Sequence, residues 1–272
     1  MMKLAEYLKR IDYSRDVKPD LATLNAIHRA HLLAIPYENL DIHRDCPVTT
    51  DVTQIYEKIV NQHRGGWCFE MNGLLAWALR EVGFDVRLMS SFVGREKTEP
   101  LPTGVGDHLI LRVALDQPYL ADVGFGNGIF EPIALSEGTY QQGFLTYKLA
   151  QENNRWWFTN HIYGGPGFDF DLEAHHLSDF TGQSTCLQTS PESGFVKTTV
   201  CMRFTPDSGM VILRGAILRR ITSAGAKDET VDNLANYERV LSQEFDLRLP
   251  NVNALWDKVW ARHQAWAKEQ TP

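Results

Sequence analysis

A cysteine that follows two glycines, in the run R-G-G-W-C-F-E-M-N from Arg64 to Asn72, is the residue of this chain best placed to do covalent chemistry. The glycines permit the tight approach that delivers a chain into a helix, and Cys68 in the first turn lies beside unpaired backbone N–H groups and the positive end of the helix dipole. That setting favours thiolate over thiol. A thiolate is both a nucleophile and a tolerable leaving group, the combination that thioester exchange requires. The spacing from Cys68 to Met71, Leu75 and Leu79 also suits a core stripe, in which the sulfur is only a small buried hydrophobe, as free cysteines commonly are.

A sulfur nucleophile needs a base, and the base needs a group that fixes its tautomer. His108 heads the run H-L-I-L-R-V-A-L just after Gly104 and Gly106, and Asp122 lies in L-A-D-V-G-F-G-N-G, near the end of the next strand-like segment. If those strands are adjacent, the returning chain sets the carboxylate against the imidazole, while alternation turns Asp107 elsewhere. A solvated strand-end histidine and a carboxylate serving turn N–H groups are the alternatives for these two. Other histidines (His28, His31, His63, His161, His175 and His176) read as surface or core residues. Cys46, Cys68, Cys186 and Cys201 form no C-x-x-C pair, and His28 with His31 lacks a third ligand at zinc spacing, so no metal is expected. The glycines of G-F-G-N-G, residues 124–128, could offer N–H groups to an anion, but the dinucleotide and P-loop patterns are both missing; a tight loop with Phe125 and Phe130 turned inward serves equally.

These residues must be carried by two kinds of element. Up to about residue 85 the apolar spacing is helical: Leu4, Tyr7, Leu8 and Ile11; then Leu24, Ile27, His31 and Ala34 after Asp20, ended by Pro36; then Val52, Ile55, Tyr56 and Ile59 with Asp51 as N-cap; then the Cys68 helix, stopped by Gly83. From Val86 the period becomes two, giving strands over 86–93, 108–115, 119–123, 146–149 and 155–159 and a sheet or small barrel reaching about residue 190. The stretches G-G-P-G-F-D-F-D-L-E-A-H-H and G-Q-S-T-C-L-Q-T-S-P-E-S-G read as irregular connections. Beyond them, 195–204 and 210–221 form strand-like runs joined by the turn residues 206–209, and two helices follow, one through Val231, Leu234 and Leu241, the other through Leu255, Val259 and Trp266. The fold class is α+β, helical up to about residue 85, sheet-forming from 86 to about 190, and mixed beyond.

Composition narrows the partners. The 272 residues carry a net charge of -7, which argues against nucleic acid, and the sequence offers neither a leader-like N-terminus nor an apolar run long enough to span a membrane. A cytoplasmic protein with reduced cysteines is expected. A homo-oligomer is left open.

The cysteine run, the G-D-H-L-I-L histidine, the D-V-G-F-G segment, I-P-Y-E-N-L at 35–40 and S-P-E-S-G-F further on together resemble the arylamine N-acetyltransferases, especially bacterial members, over nearly the whole chain. Tyr37 replaces a frequent phenylalanine, and Met71 sits at a variable position. The resemblance implies that Cys68 accepts an acetyl group, His108 is its base and Asp122 orients the histidine, and it implies three lobes: a helical bundle over 1–85 bearing the cysteine, a β-barrel-like domain over 86–190 bearing the histidine and aspartate, and an α/β lid over 191–272. It implies acetyl-coenzyme A as cosubstrate with no permanently bound cofactor, contacted by Thr103, Gly104, Gly126 and Gly128, and an arylamine or arylhydrazine packed by Tyr37, Phe125 and Phe204. A related enzyme using another acyl-coenzyme A or forming a natural-product amide, a transglutaminase-like cysteine hydrolase, and a non-enzymatic binding protein are the competing readings.

Overall fold

Asp20 accepts the Thr23 N–H and opens a helix that runs to Ala34, and Asp51 caps the next long segment by accepting from Thr53 and Gln54. The computed structural model describes residues 1–269, so the last three residues of the lobe expected over 191–272 lie outside the described residues. The N-terminal helices are α1 (Leu4–Arg10), α2 (Leu21–Ala34), α3 (Leu40–His43), α4 (Val52–Tyr56), which continues into a looser turn to Asn61, and α5 (Cys68–Val82). Between α2 and α3 lies a short strand, β1 (Tyr37–Glu38). Helix α5 is the hub: almost all of its residues to Leu79 are buried, and Gly83, in the left-handed region at φ 105°, ends it.

Eight antiparallel strands follow: β2 (Asp85–Val93), β3 (His108–Ala114), β4 (Pro118–Ala121), β5 (Ile133–Ala134), β6 (Gly138–Gln142), β7 (Leu145–Glu152), β8 (Arg155–Thr159) and β9 (Phe168–Phe170). Their order is β5-β4-β3-β2-β9-β8-β7-β6. Side chains draw the two edges together into a barrel-like form: Tyr140 Oη on β6 donates to the Ala134 carbonyl on β5, and the Gln142 amide bonds to Phe130 and Glu131 just before it. Helix α5 packs against β2 and β3, so the helices and the barrel share one core.

The C-terminal region holds α6 (Thr181–Thr189), α7 (Gly194–Lys197), the strands β10 (Val200–Phe204), β11 (Met210–Arg214), β12 (Ile217–Thr222) and β13 (Gly225–Thr230), then α8 (Leu234–Phe245) and α9 (Val252–Glu269). Strand β1 joins this sheet at its edge, pairing Tyr37 with Met202 and Glu38 with Cys201. A second core, built from β10–β12, α8 and α9, closes on Leu40 from the N-terminal region.

Two stretches expected to be irregular are ordered elements. Phe168–Phe170 is an interior strand between β2 and β8, which its flanking glycines and its Asp169 concealed; the buried carboxylate is met by Arg95 and Arg155, and that pairing is what allows it there. Thr181–Thr189 is a helix without an apolar stripe, and Thr185 and Thr189 donate to the carbonyls four residues back. The strand-like run over 195–204 begins as helix α7, the run over 210–221 is broken at Gly215 into two strands, and β13, polar and mostly exposed, follows where no strand was expected.

Candidate active site

The run from Arg64 to Glu70 is locked before it reaches the sulfur. Gly65 lies so near the backbone that a Cβ there would meet the Pro36 oxygen at 2.1 Å, and Gly66 makes a parallel bridge with Tyr37. The Arg64 guanidinium reaches Glu38 at 2.6 Å and Asp41 at 2.8 Å, and Lys58 reaches Asp41 and Glu70 at 2.9 Å each. Glu70 in turn accepts the Trp67 N–H. Despite the penalty of burial, Glu70, Glu38 and Asp41 hold the Lys58 ammonium above its ordinary range. Arg64 and Glu70 thus brace the entry to α5, and their charges are answered within the cluster.

Cys68 is the first residue of α5 and is 3 % exposed. Its thiol faces the Asp107 carbonyl at 3.9 Å, at the head of β3. Burial pushes the thiol well above its ordinary value, the Asp107 and Asp122 carboxylates push the same way, and the N–H groups of Phe69 and Leu109 oppose them. The first-turn N–H groups on which the thiolate expectation rested act in the expected sense, and desolvation outweighs them.

His108 begins β3, and Asp122 follows directly on β4, the neighbouring strand. His108 Nε2 lies 2.8 Å from Asp122 Oδ2 with both residues buried. With Nε2–H donated to the carboxylate, Nδ1 is the nitrogen left to take a proton. Asp122 Oδ1 accepts from Asn72 Nδ2 and from the Gly124 N–H, each at 2.8 Å. Asn72 also donates to the Leu109 carbonyl at 2.6 Å and accepts the Val123 N–H at 2.9 Å, so its amide is fully used. The Asp122 N–H donates to His28 Nε2 at 3.2 Å; His28 Nδ1 must then carry hydrogen, which it donates to the Phe130 carbonyl. Desolvation drops His28 to about 4, so it remains a neutral acceptor. The rings of Phe125 and Phe168 stand 5.1 and 5.3 Å from the His108 ring.

Asn72 and His28 were missed as site residues. The signal for Asn72 was its place one turn after Cys68 on the same helix face; for His28 only its position on the buried stripe of α2 pointed inward.

The remaining residues separate into groups. Thr103 and Gly104 are exposed on the loop between β2 and β3, with open space around Gly104. Gly126, at φ 79°, is buried against Met202 and Tyr37, and the Gly128 carbonyl accepts from Tyr147 Oη. Tyr37, Gly126 and Phe204 line one narrow pocket with Met71, Val123 and Met202. Phe204 packs on Phe130 at 5.2 Å, whereas half-buried Phe125 packs on His108. Among the described residues no cluster of three or more metal-ligating side chains occurs, and no helix is long and apolar enough to cross a membrane.

Comparison with known proteins follows the same lines. The family model described as N-acetyltransferase matches residues 20–254. The pineal gland arylamine N-acetyltransferase isozyme NAT-3 of Gallus gallus is 34 % identical over 219 residues, covering 72 % of this chain and 75 % of its own. The arylamine N-acetyltransferase structure from Salmonella typhimurium superposes with a TM-score of 0.86 at 30 % identity, covering 96 % of this chain and all (100 %) of its own. That of Mycobacterium marinum in complex with CoA gives 0.84 at 27 % identity, covering 96 % and 98 %. By sequence and fold, the chain belongs to the arylamine N-acetyltransferase family of acyltransferases.

Proposed function

We propose that this enzyme moves an acetyl group from acetyl-coenzyme A to the nitrogen of an arylamine or arylhydrazine by way of acetyl-Cys68. The observation that carries the reading is the His108–Asp122 hydrogen bond at 2.8 Å, which leaves Nδ1 as the base nitrogen on the residue next to the carbonyl that the Cys68 thiol faces. In the first half-reaction the Cys68 proton passes to His108, sulfur attacks the thioester carbonyl, and coenzyme A leaves as a thiolate that takes that proton back. One thioester replaces another, so the exchange is nearly balanced. In the second, the neutral amine attacks acetyl-Cys68, its proton passes to His108, and the cysteine sulfur is expelled. Asp122 holds the tautomer and stabilises the imidazolium that forms, without taking the proton. An aromatic amine suits this step because its lone pair is free near neutral pH.

A backbone N–H near Cys68, in the first turn of α5, is the donor we assign to the developing oxyanion. Phe125 and Phe168 keep water from the acetyl-enzyme. The CoA complex of the Mycobacterium marinum relative supports the choice of cosubstrate. Exposure and direct connection to His108 favour Thr103 and Gly104 over the buried Gly126 and Gly128 as its contacts, and Phe125, whose ring packs on His108, is the acceptor contact favoured over Tyr37 and Phe204. Free Cys46, Cys68, Cys186 and Cys201 suit a reducing cytoplasm.

Intact mass after incubation with acetyl-coenzyme A tests the reading. One added acetyl group is expected on the parent and none on Cys68→Ala, with N-acetyl product released when an arylamine follows. Peptide hydrolysis without acetylation would place the protein with the cysteine hydrolases instead.

A further inference from the structure

The ladder between β3 and β4 stops one residue short of Asp122, and a side chain takes its place. Pro118 has no N–H, so its pair with Ala114 is a non-bonded one; alternation then makes Val113–Tyr119 and Leu111–Ala121 the bonded pairs. Continued by two residues, the next bonded pair would be Leu109 with Val123. The strands diverge before that pair forms. The Asn72 amide lies across the gap, accepting the Val123 N–H at 2.9 Å and donating to the Leu109 carbonyl at 2.6 Å, just as a peptide group inserted between the strands would. Its second N–H goes to Asp122 Oδ1.

We propose that Asn72 is a strand wedge: its carboxamide, inserted between Leu109 and Val123, holds β3 and β4 apart so that the Asp122 carboxylate meets His108. Asn72 touches no reacting atom; it is a positioning residue, and its role rests on the acyl-transfer reading of Cys68, His108 and Asp122. The wedge is anchored on α5, one turn from Cys68, so the helix that carries the nucleophile also sets the spacing of the base and its carboxylate. Gly124 fits the same geometry, since a Cβ there would meet Asn72 Nδ2 at 2.6 Å and the Cys68 Cα at 2.8 Å. The groups facing the wedge are the Asp122 carboxylate, His28 through the Asp122 N–H, and the backbone of β3.

Asn72→Ala removes the wedge and lets the Val123 N–H pair with the Leu109 carbonyl directly. Asn72→Gln keeps an amide to satisfy both groups but sets it one methylene further from α5. Each variant is compared with the parent by turnover with acetyl-coenzyme A and an arylamine, and by iodoacetamide labelling of the Cys68 peptide against pH. Turnover is expected to fall about 100-fold with little change in KM, as an ångström of misplacement produces. The labelling midpoint is expected to rise by about one pH unit or more as His108 and its carboxylate move out of register with the sulfur. A folded Asn72→Ala or Asn72→Gln protein with parental turnover, or with reduced turnover and a parental labelling profile, overturns the wedge. His108→Gln separates the two ideas: if its labelling profile also matches the parent, the triad itself is overturned, whatever the Asn72 variants do.

Discussion

Two buried polar clusters lie at opposite ends of the same short run, and they differ in what their groups can still do. Around Arg64, the carboxylates of Glu38, Asp41 and Glu70 are closed on Lys58 and Arg64 by direct contacts near 3 Å. Around Asp122, each fixed partner (Asn72, His28 and the Gly124 N–H) is neutral, and the carboxylate's remaining contact is the His108 ring. Burial and displaced ionisation occur in both clusters. The proposed acyl transfer uses the one in which a proton has somewhere to go, because a charge already answered by opposite charges has no state to change into.

Removing reacting groups should sharpen that contrast most. Cys68→Ala is expected to lower turnover by about 10⁴-fold or more, and Asp122→Asn by about 10⁴-fold through the wrong tautomer, with the thermal midpoint of both within a few degrees of the parent. A Cys68→Ala protein that still forms product at a comparable rate would move the chemistry elsewhere. The Arg64 cluster should behave in the opposite sense. Arg64→Met leaves the Glu38 carboxylate buried without its partner, and unfolding by denaturant should become easier by about 3–5 kcal/mol. Turnover per folded molecule and the Cys68 labelling profile should hardly move. A stable Arg64→Met protein with an altered labelling profile would erase the distinction between the clusters.

What the chain reveals before folding follows the same division. Helix periods, the N-caps at Asp20 and Asp51, the stop at Gly83 and the strand at His108 are local properties, and they are legible because the residues that decide them are neighbours in sequence. Cys68, His108 and Asp122 were legible as residue types at element ends. Asn72 as a wedge was not, because it substitutes for a ladder bond whose absence is a property of two strands and a helix together. Phe168–Phe170 was hidden for a similar reason: a strand containing Asp169 becomes acceptable only when Arg95 and Arg155 arrive from distant elements. The rise in the Cys68 thiol also lay beyond the sequence, since the helix start is visible there and the desolvation is not.

Acid should expose the second cluster before the first. His28 titrates near its ordinary value of 6.5 in the unfolded chain but only near 4 when folded, because burial disfavours its cation. Between those values the unfolded state binds the extra proton, so stability is fully present above about pH 6.5, declines as pH falls, and levels off below about 4. The slope from one such ring is about 1.4 kcal/mol per pH unit. His161, also lowered to about 4 by burial, contributes a second slope of the same sign. Denaturant unfolding at pH 7 and pH 5 should therefore show a smaller loss for His28→Gln than for the parent. Equal losses would mean that His28 does not hold its neutral form in the folded protein, and the support it gives to the Asp122 N–H would fail with it.

The smallest effect tests whether closure or burial makes an ion pair matter. On the outer hairpin, Arg219 donates to both oxygens of Asp228 at 2.7 Å, a better geometry than several contacts of the Arg64 cluster, yet the two side chains are 50 % and 44 % exposed. Water and salt screen such a pair, and each side chain loses freedom in making it, so a double-mutant cycle with Arg219→Ala and Asp228→Ala should give a coupling of about 0.2–1 kcal/mol, falling as salt is added. The buried Arg64–Glu38 pair has the same chemistry, so a coupling at the hairpin as large as the loss in Arg64→Met would mean that geometry alone sets the strength. In that case the low exposure of the Arg64 cluster would explain nothing about its role. A small, salt-sensitive coupling would assign the difference to desolvation, the same effect that pushes the buried Cys68 thiol upward.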